Sequence, residues 1–375
     1  MKRRDVLRHL TATCAALPLP ALAQQPKRIV LGQSAAFSGP AAQLGVQMNM
    51  GAKLYLDALN ASGGVNGQTV ELRTLDDGYE PERCKANTAT FIKDEVFALL
   101  GYVGTPTCVA ALPLVNEAGI PFFGPFTGAE VLRDPFSHYV FHLRASYYQE
   151  TAEIVKQLTT LGRNKIAVFY QNDSYGKAGL EGVTRALKQL NMAPVALGTV
   201  ERNTVDVTQA VKDIVAKSPD AVVQISAYKS CAAFIRASRK AGFGGAFYNV
   251  SFVGTLALAE ELGKDGRGVV ISQVMPFPFA GVSPISGEYL EAVKKSGNGA
   301  VPNYSSIEGY MAAKVFCEAL KRACRNPSRD ALINALETIQ NMSFGGFYVT
   351  FGPRAHTASR YVELTMLDES GRVRH

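Results

Sequence analysis

The chain has 375 residues, 47% of them hydrophobic and 19% charged, with a formal charge of +7 at neutral pH. That length is more than one compact core usually serves, so two domains are expected. The positive excess is spread along the chain without a basic run, which removes nucleic acid as a partner implied by charge.

The chain opens on Met1-Lys2-Arg3-Arg4, continues through an uncharged stretch from Leu10 to Ala23, and reaches Gln24-Gln25. This basic, apolar, small-residue order predicts a secretory signal peptide over residues 1–23, with Ala21-Leu22-Ala23 as the cleavage site. The apolar stretch is interrupted by Pro18 and Pro20 and falls short of the roughly 20 residues a membrane-spanning helix needs. Arg3-Arg4-Asp5-Val6-Leu7-Arg8 also fits a loose twin-arginine pattern, so Sec and twin-arginine export both stay open. Cys14 follows Thr11-Ala12-Thr13 with no leucine three positions upstream, which argues against a lipid-attachment cysteine. Cleavage removes Lys2, Arg3, Arg4, Arg8 and Asp5, leaving about +4 on an exported chain expected in the periplasm.

From there short β-rich runs alternate with amphipathic stretches, the pattern of an α/β fold with parallel sheets. The first strands are expected at Ile29–Leu31, Val70–Leu72, Phe97–Leu100 and Pro121–Phe123. A helix over Val46–Asn60 stops at Ser62-Gly63-Gly64. A second series of strands follows at Lys165–Tyr170, Val195–Leu197, Ala221–Ile225, Phe247–Val250 and Val269–Ser272. Within it, Asp206–Val215 puts Val207, Ala210, Val211, Ile214 and Val215 on one helical face. In open sheets of this kind ligands bind beyond the carboxyl ends of the strands, so the loops directly after each strand are the ones to inspect.

Five cysteines remain after cleavage, so at least one thiol stays free. Cys317 and Cys324 lie seven apart in a helical pattern, about 10 Å along the axis and beyond disulfide reach. Cys84 with Cys108 is the one candidate pair.

A serine-glycine-proline turn follows the first strand in Ser38-Gly39-Pro40-Ala41-Ala42-Gln43-Leu44-Gly45. Then come Ala58-Leu59-Asn60-Ala61-Ser62-Gly63-Gly64-Val65-Asn66-Gly67, Leu75-Asp76-Asp77, Gly101-Tyr102-Val103-Gly104-Thr105 and Asp173-Ser174-Tyr175-Gly176. In this order, over about 27–370, the motifs resemble the leucine/isoleucine/valine-binding family of periplasmic proteins, the type I fold. The resemblance implies two Rossmann-like lobes joined by a three-strand hinge, 27–145 plus 275–345 and 146–274 plus 346–375. It further implies a monomer that closes over a small-molecule ligand by hinge motion and is then recognised by the permease of an ABC transporter.

Carried onto this chain, the resemblance makes Thr105 the hydroxyl that holds a ligand carboxylate, beside free N–H groups at a helix start. An alternative is that Thr105 or Thr107 only caps its own helix. Phe126 and Thr127, in Pro125-Phe126-Thr127-Gly128, match a loop that touches the same ligand, and Phe126 is bulkier than the residue usual there. Leu44 stands where the family often has an aromatic ring. Tyr175 and Tyr228 match tyrosines that cover the ligand's side chain. Ser251 is the largest departure, because amino-acid binders place a carboxylate there to hold the ligand ammonium. An aliphatic or aromatic carboxylate, or a related neutral solute, is therefore expected at least as readily as a branched-chain amino acid, although Asp76 or Asp173 could reach an ammonium from a neighbouring loop.

The chain lacks the glycine-rich dinucleotide fingerprint, the phosphate loop and the nucleophile elbow, which argues against an enzyme, and no cofactor is expected. His138 and His142 flank Tyr139-Val140-Phe141, about 13 Å apart if extended, too far to share a metal. The competing readings are a ligand-sensing protein of the same fold and an α/β hydrolase or dehydrogenase.

Overall fold

The computed structural model describes residues 28–297 and 299–374; the signal segment expected over 1–23 lies outside the described residues. The first half alternates β1 (Arg28–Ala35), α1 (Ala42–Ala61), β2 (Thr69–Asp76), α2 (Pro81–Lys93), β3 (Ala98–Leu100), α3 (Thr105–Ala118), β4 (Phe122–Phe123) and β5 (Val140–Phe141). These strands form one parallel sheet in the order β2-β1-β3-β4-β5. The chain then crosses to α4 (Tyr147–Thr160), β6 (Ile166–Gln171), α5 (Ser174–Lys188), β7 (Leu197–Val200), α6 (Thr208–Val215), β8 (Ala221–Ile225), α7 (Tyr228–Lys240), β9 (Ala246–Asn249), α8 (Thr255–Leu262) and β10 (Val270–Gln273).

A return follows through α9 (Pro284–Ser296), α10 (Tyr304–Arg322) and α11 (Arg329–Glu337) to the hairpin β11 (Met342–Phe344) and β12 (Phe347–Val349). The tail crosses once more, adding β13 (Glu363–Leu367) antiparallel to β10 and then β14 (Val373–Arg374) antiparallel to β13 at the edge of the second sheet. That sheet runs β14-β13-β10-β9-β8-β6-β7. The molecule is thus two α/β lobes with three crossing segments.

Burial explains the strand pattern. Every residue of β8, Ala221-Val222-Val223-Gln224-Ile225, is buried, as expected for a central parallel strand covered by helices on both faces. Helix α10 is buried on almost every side and lies against α1, where Gly51 and Gly309 let the backbones approach. A Cβ at Gly51 would come within 1.7 Å of the Ser306 carbonyl oxygen. This close seat fixes the first turns of α10, including Glu308, at the crossing segments.

Several expectations need adjustment. The first helix begins at Ala42, one turn before Val46, and the seventh strand runs Leu197–Val200 instead of Val195–Leu197. Cys84 and Cys108, the candidate disulfide, are instead two free buried thiols in one apolar cluster with Phe91, Tyr102 and Phe122. Cys84 has hydrogen-bond partners in Ser34 and Thr88, and burial pushes both thiols well above their ordinary range.

Candidate functional site

The loop after β3 leads into α3 through Gly104, and no side chain caps this helix. Thr107 instead turns its hydroxyl back to the carbonyl oxygens of Val103 and Gly104, at 2.6 and 2.9 Å. Thr105 therefore does not serve as a cap. Its Oγ1 lies 2.7 Å from Thr127 Oγ1, and Thr127 Oγ1 donates to the Tyr147 hydroxyl at 3.4 Å. Two buried hydroxyls thus meet at a helix start whose first N–H groups have no intrahelical partner, an arrangement suited to an anion.

Around this pair stand rings from both lobes. Phe252, in the 3-10 turn after β9, sits 5.6 Å from Phe126, 6.0 Å from Tyr79 and 4.6 Å from Tyr175, between ring centroids. Tyr147, at the start of α4, lies 5.4 Å from Tyr175. Burial pushes the phenols of Tyr79, Tyr147 and Tyr175 up, so all three are neutral donors and acceptors at physiological pH. Aromatic rings in tilted contact present apolar faces with polar tips, suited to covering an apolar ligand body.

At the hinge end, Arg144 holds Glu308 through Nε and Nη2, at 2.8 and 2.9 Å, and its guanidinium lies 4.3 Å above the centre of the Phe126 ring. Glu150, on α4, accepts from the Ser251 N–H at 2.8 Å, the Ser251 hydroxyl at 3.0 Å and the Ser272 hydroxyl at 2.6 Å. Burial pushes both carboxyls upward, and the Arg144 charge opposes that rise. Arg133 ties the crossing together by donating to the carbonyl oxygens of Thr127, Arg144 and Ala145, and to Thr357. A void of about 10 Å³ lies among Phe126, Arg144, Ser251, Gln273, Tyr304 and Glu308.

The outer rim is also bridged. Arg202 donates to Glu80 at 2.8 Å, and Asn203 reaches Glu80 and the Gly78 carbonyl oxygen, all from the second lobe to the first. Gln171 donates to the Tyr79 hydroxyl at 3.3 Å. Leu44 seats against Gly254, where an added Cβ would lie 2.4 Å from Leu44 Cδ2.

Of the residues singled out in the sequence, Thr105, Phe126, Thr127 and Tyr175 come together here. Ser251 lines the void beside Phe126 and binds Glu150. Leu44 and Tyr228 lie farther along the interface: Leu44 touches Gly254, and the Tyr228 hydroxyl meets the Gln43 backbone. Neither neighbouring aspartate is free for an ammonium. Asp76 fixes the Ser38 turn through Phe37 N, Ser38 N and Ser38 Oγ, and Asp173 caps α5. Tyr79, Arg144, Tyr147, Glu150, Phe252 and Glu308 were not foreseen. Tyr79 follows a strand and Phe252 adjoins Ser251, so the after-strand loops held their signal, whereas nothing local marks Glu308.

Residues 28–372 match the family model described as "Periplasmic binding protein". The "Leu/Ile/Val-binding protein homolog 7" of Brucella melitensis is 27% identical, over 84% of this chain and 82% of that protein. A solved structure of a possible leucine/isoleucine/valine-binding protein from Rhodopirellula baltica is 35% identical with a TM-score of 0.88, covering 92% of this chain and 95% of that one. The substrate-binding periplasmic protein of Ralstonia solanacearum is 33% identical with a TM-score of 0.87, covering 92% and 99%. Such relatives bind substrates and are not enzymes, and their family is typically periplasmic. With two α/β lobes closed over a ring-lined cleft, and with these relatives along nearly its whole length, the chain belongs to the periplasmic binding protein family, as a solute-binding protein of the Leu/Ile/Val-binding-like, type I kind.

Proposed function

We propose that this chain is the exported substrate-binding component of an ABC transporter, closing its lobes over a small carboxylate and presenting it to a membrane permease. The observation that carries this reading is the Thr105–Thr127 hydroxyl pair, buried at the uncapped start of α3 and walled by rings from both lobes. An anion there gains helix-end N–H groups and hydroxyls without needing a buried counter-charge. The void of about 10 Å³ accommodates roughly one water, so the ligand enters only when the lobes part.

We place the lobes at 27–145 plus 275–345 and 146–274 plus 346–375. The pairing of β11 with β12 favours moving the last limit from 345 to beyond Val349. Residues 1–23 are read as the export signal; N-terminal sequencing of exported material that returned Met1 overturns this. Among the described residues no helix is long and apolar enough to cross a membrane.

A branched-chain amino acid is the second reading, favoured by Glu150, which stands directly behind Ser251, and by the names of the relatives. A thermal-shift panel decides, since a ligand at 100 times its dissociation constant adds about 2.7 kcal/mol to stability. Aliphatic or aromatic acids that raise the melting temperature support the carboxylate reading. A response to leucine or valine alone supports the second, and no response to any of them rejects both.

A further inference from the structure

A guanidinium offers five N–H donors in a fixed fork. In Arg144, Nε and Nη2 are spent on Glu308, while Nη1 is buried with no hydrogen-bond partner among the described residues. The Tyr175 hydroxyl is likewise buried and unpartnered. Native interiors rarely leave such atoms unpaired, and each calls for a reason. Both belong to one wall of the cleft: Arg144 covers Phe126, Phe126 meets Phe252, and Phe252 meets Tyr175. Arg144 also lines the void of about 10 Å³, room for roughly one oxygen atom.

The charge of the ligand group that fits follows from the neighbours. Arg133 and Arg144 supply two guanidiniums, and Glu150 and Glu308 supply two carboxyls, one ion-paired to Arg144 and the other receiving three donors. The buried cluster is balanced. A second ligand carboxylate would add an uncompensated buried negative charge, and an ammonium would meet the N–H edge of Arg144; either is costly away from water. An uncharged oxygen meets neither penalty.

Resting on the carboxylate reading of the cleft, we infer that the ligand is an acid with a second, uncharged oxygen acceptor, a keto, amide or hydroxyl oxygen, received by Arg144 Nη1 at the void it lines. The hydroxyl pair holds the acid end, and Arg144 is the specificity-determining residue at the other. The span suits a small molecule, because a single Arg133 guanidinium reaches the backbone of both Thr127 and Arg144.

The test is calorimetry on the exported protein with pentanoate, 4-oxopentanoate and glutarate, and with phenylacetate and 4-hydroxyphenylacetate. In at least one set the oxygenated monoacid is expected to bind ten times or more tighter than its parent, and in the aliphatic set tighter than the diacid. Two variants follow. Arg144→Met with Glu308→Leu removes both charges of the pair, since removing one alone strands the other, and Arg144→Lys keeps the charge but removes the Nη1 donor. In each, the ratio of the two affinities is expected to fall toward one. Should the double variant fail to fold, as judged by its melting transition, Arg144→Lys alone decides. Parents that bind as tightly as the oxygenated acids, or a preference that survives the variants, overturn the inference and leave the carboxylate reading standing. If no acid binds the unaltered protein, the carboxylate reading itself falls and the inference with it.

Discussion

At the hinge end of the cleft Arg144 meets Glu308 with side chains 1% and 3% exposed, whereas at the outer rim Arg202 meets Glu80 with side chains 23% and 43% exposed. Both are short arginine–carboxylate contacts, and their energetics differ because water reaches only one of them. At the hinge end each charge depends on its partner, so breaking the pair leaves an uncompensated buried charge. At the rim water and salt replace a lost partner, and the pair is worth little to folding. The rim pair nevertheless joins one lobe to the other, so what it does contribute belongs to closure. The chain therefore keeps its strong electrostatics where the lobes are joined and its weak electrostatics at the rim, where the proposed function has them part.

The largest expected effect breaks the hinge end. Arg144→Met should lower unfolding stability by about 3–5 kcal/mol in urea titrations, and adding Glu308→Leu should recover most of that loss. A single variant as stable as the parent would show that water enters the hinge as freely as the rim. Next in size, Thr105→Ala should weaken binding of a carboxylate ligand by about 1–3 kcal/mol in calorimetry, with little change in melting temperature without ligand. Unchanged affinity would leave the hydroxyl pair without a role in binding.

The same contrast recurs between adjacent residues. Asp77 is buried against Ser34 and Tyr79 N, and burial pushes its carboxyl up to about 6. Asp76 keeps contact with water, and the donors Ser38, Phe37, Gly78 and Arg83 outweigh its partial burial and hold it down to about 2. Between the ordinary aspartate value near 4 and about 6, folded Asp77 binds its proton more tightly than the unfolded chain does. Its contribution to stability is therefore fully present below that window and is lost as pH rises through it. Asp76 has the opposite sign: its contribution is present above about 4 and lost as pH falls toward 2. Asp77→Asn should flatten the stability profile between about pH 4 and 6, measured by denaturant midpoints. The smallest effect is at the rim: Arg202→Ala should change stability by less than about 1 kcal/mol and weaken ligand binding a few-fold, less so at high salt.

The alternation of strand and helix was legible because the central strands are continuous apolar runs, as in Ala221-Val222-Val223-Gln224-Ile225. The short edge pieces β5, β13 and β14 were not, since two to five residues paired at a margin carry little periodic signal. In the site, residues just after strands could be read, and Thr105, Phe126, Thr127 and Tyr175 do meet. Arg144 and Glu308 could not be paired in advance: they stand 164 positions apart, and only the seating of α10 on α1 brings them together. The Cys84–Cys108 expectation erred because spacing does not separate two thiols bridged from two thiols packed.

Gly254 gives the closed form a mechanical condition. Its φ is +79°, and the space a side chain would need there is taken by Leu44 of the opposite lobe. In a molecule whose lobes have swung apart, that space is solvent. A methyl group at 254 would carry the backbone strain of that φ in both states, but it would act as a wedge against the shut one alone, shifting the population toward gaping molecules at every ligand concentration. Cargo would then have to supply the extra work of shutting, so apparent affinity would drop although no atom that touches cargo had changed.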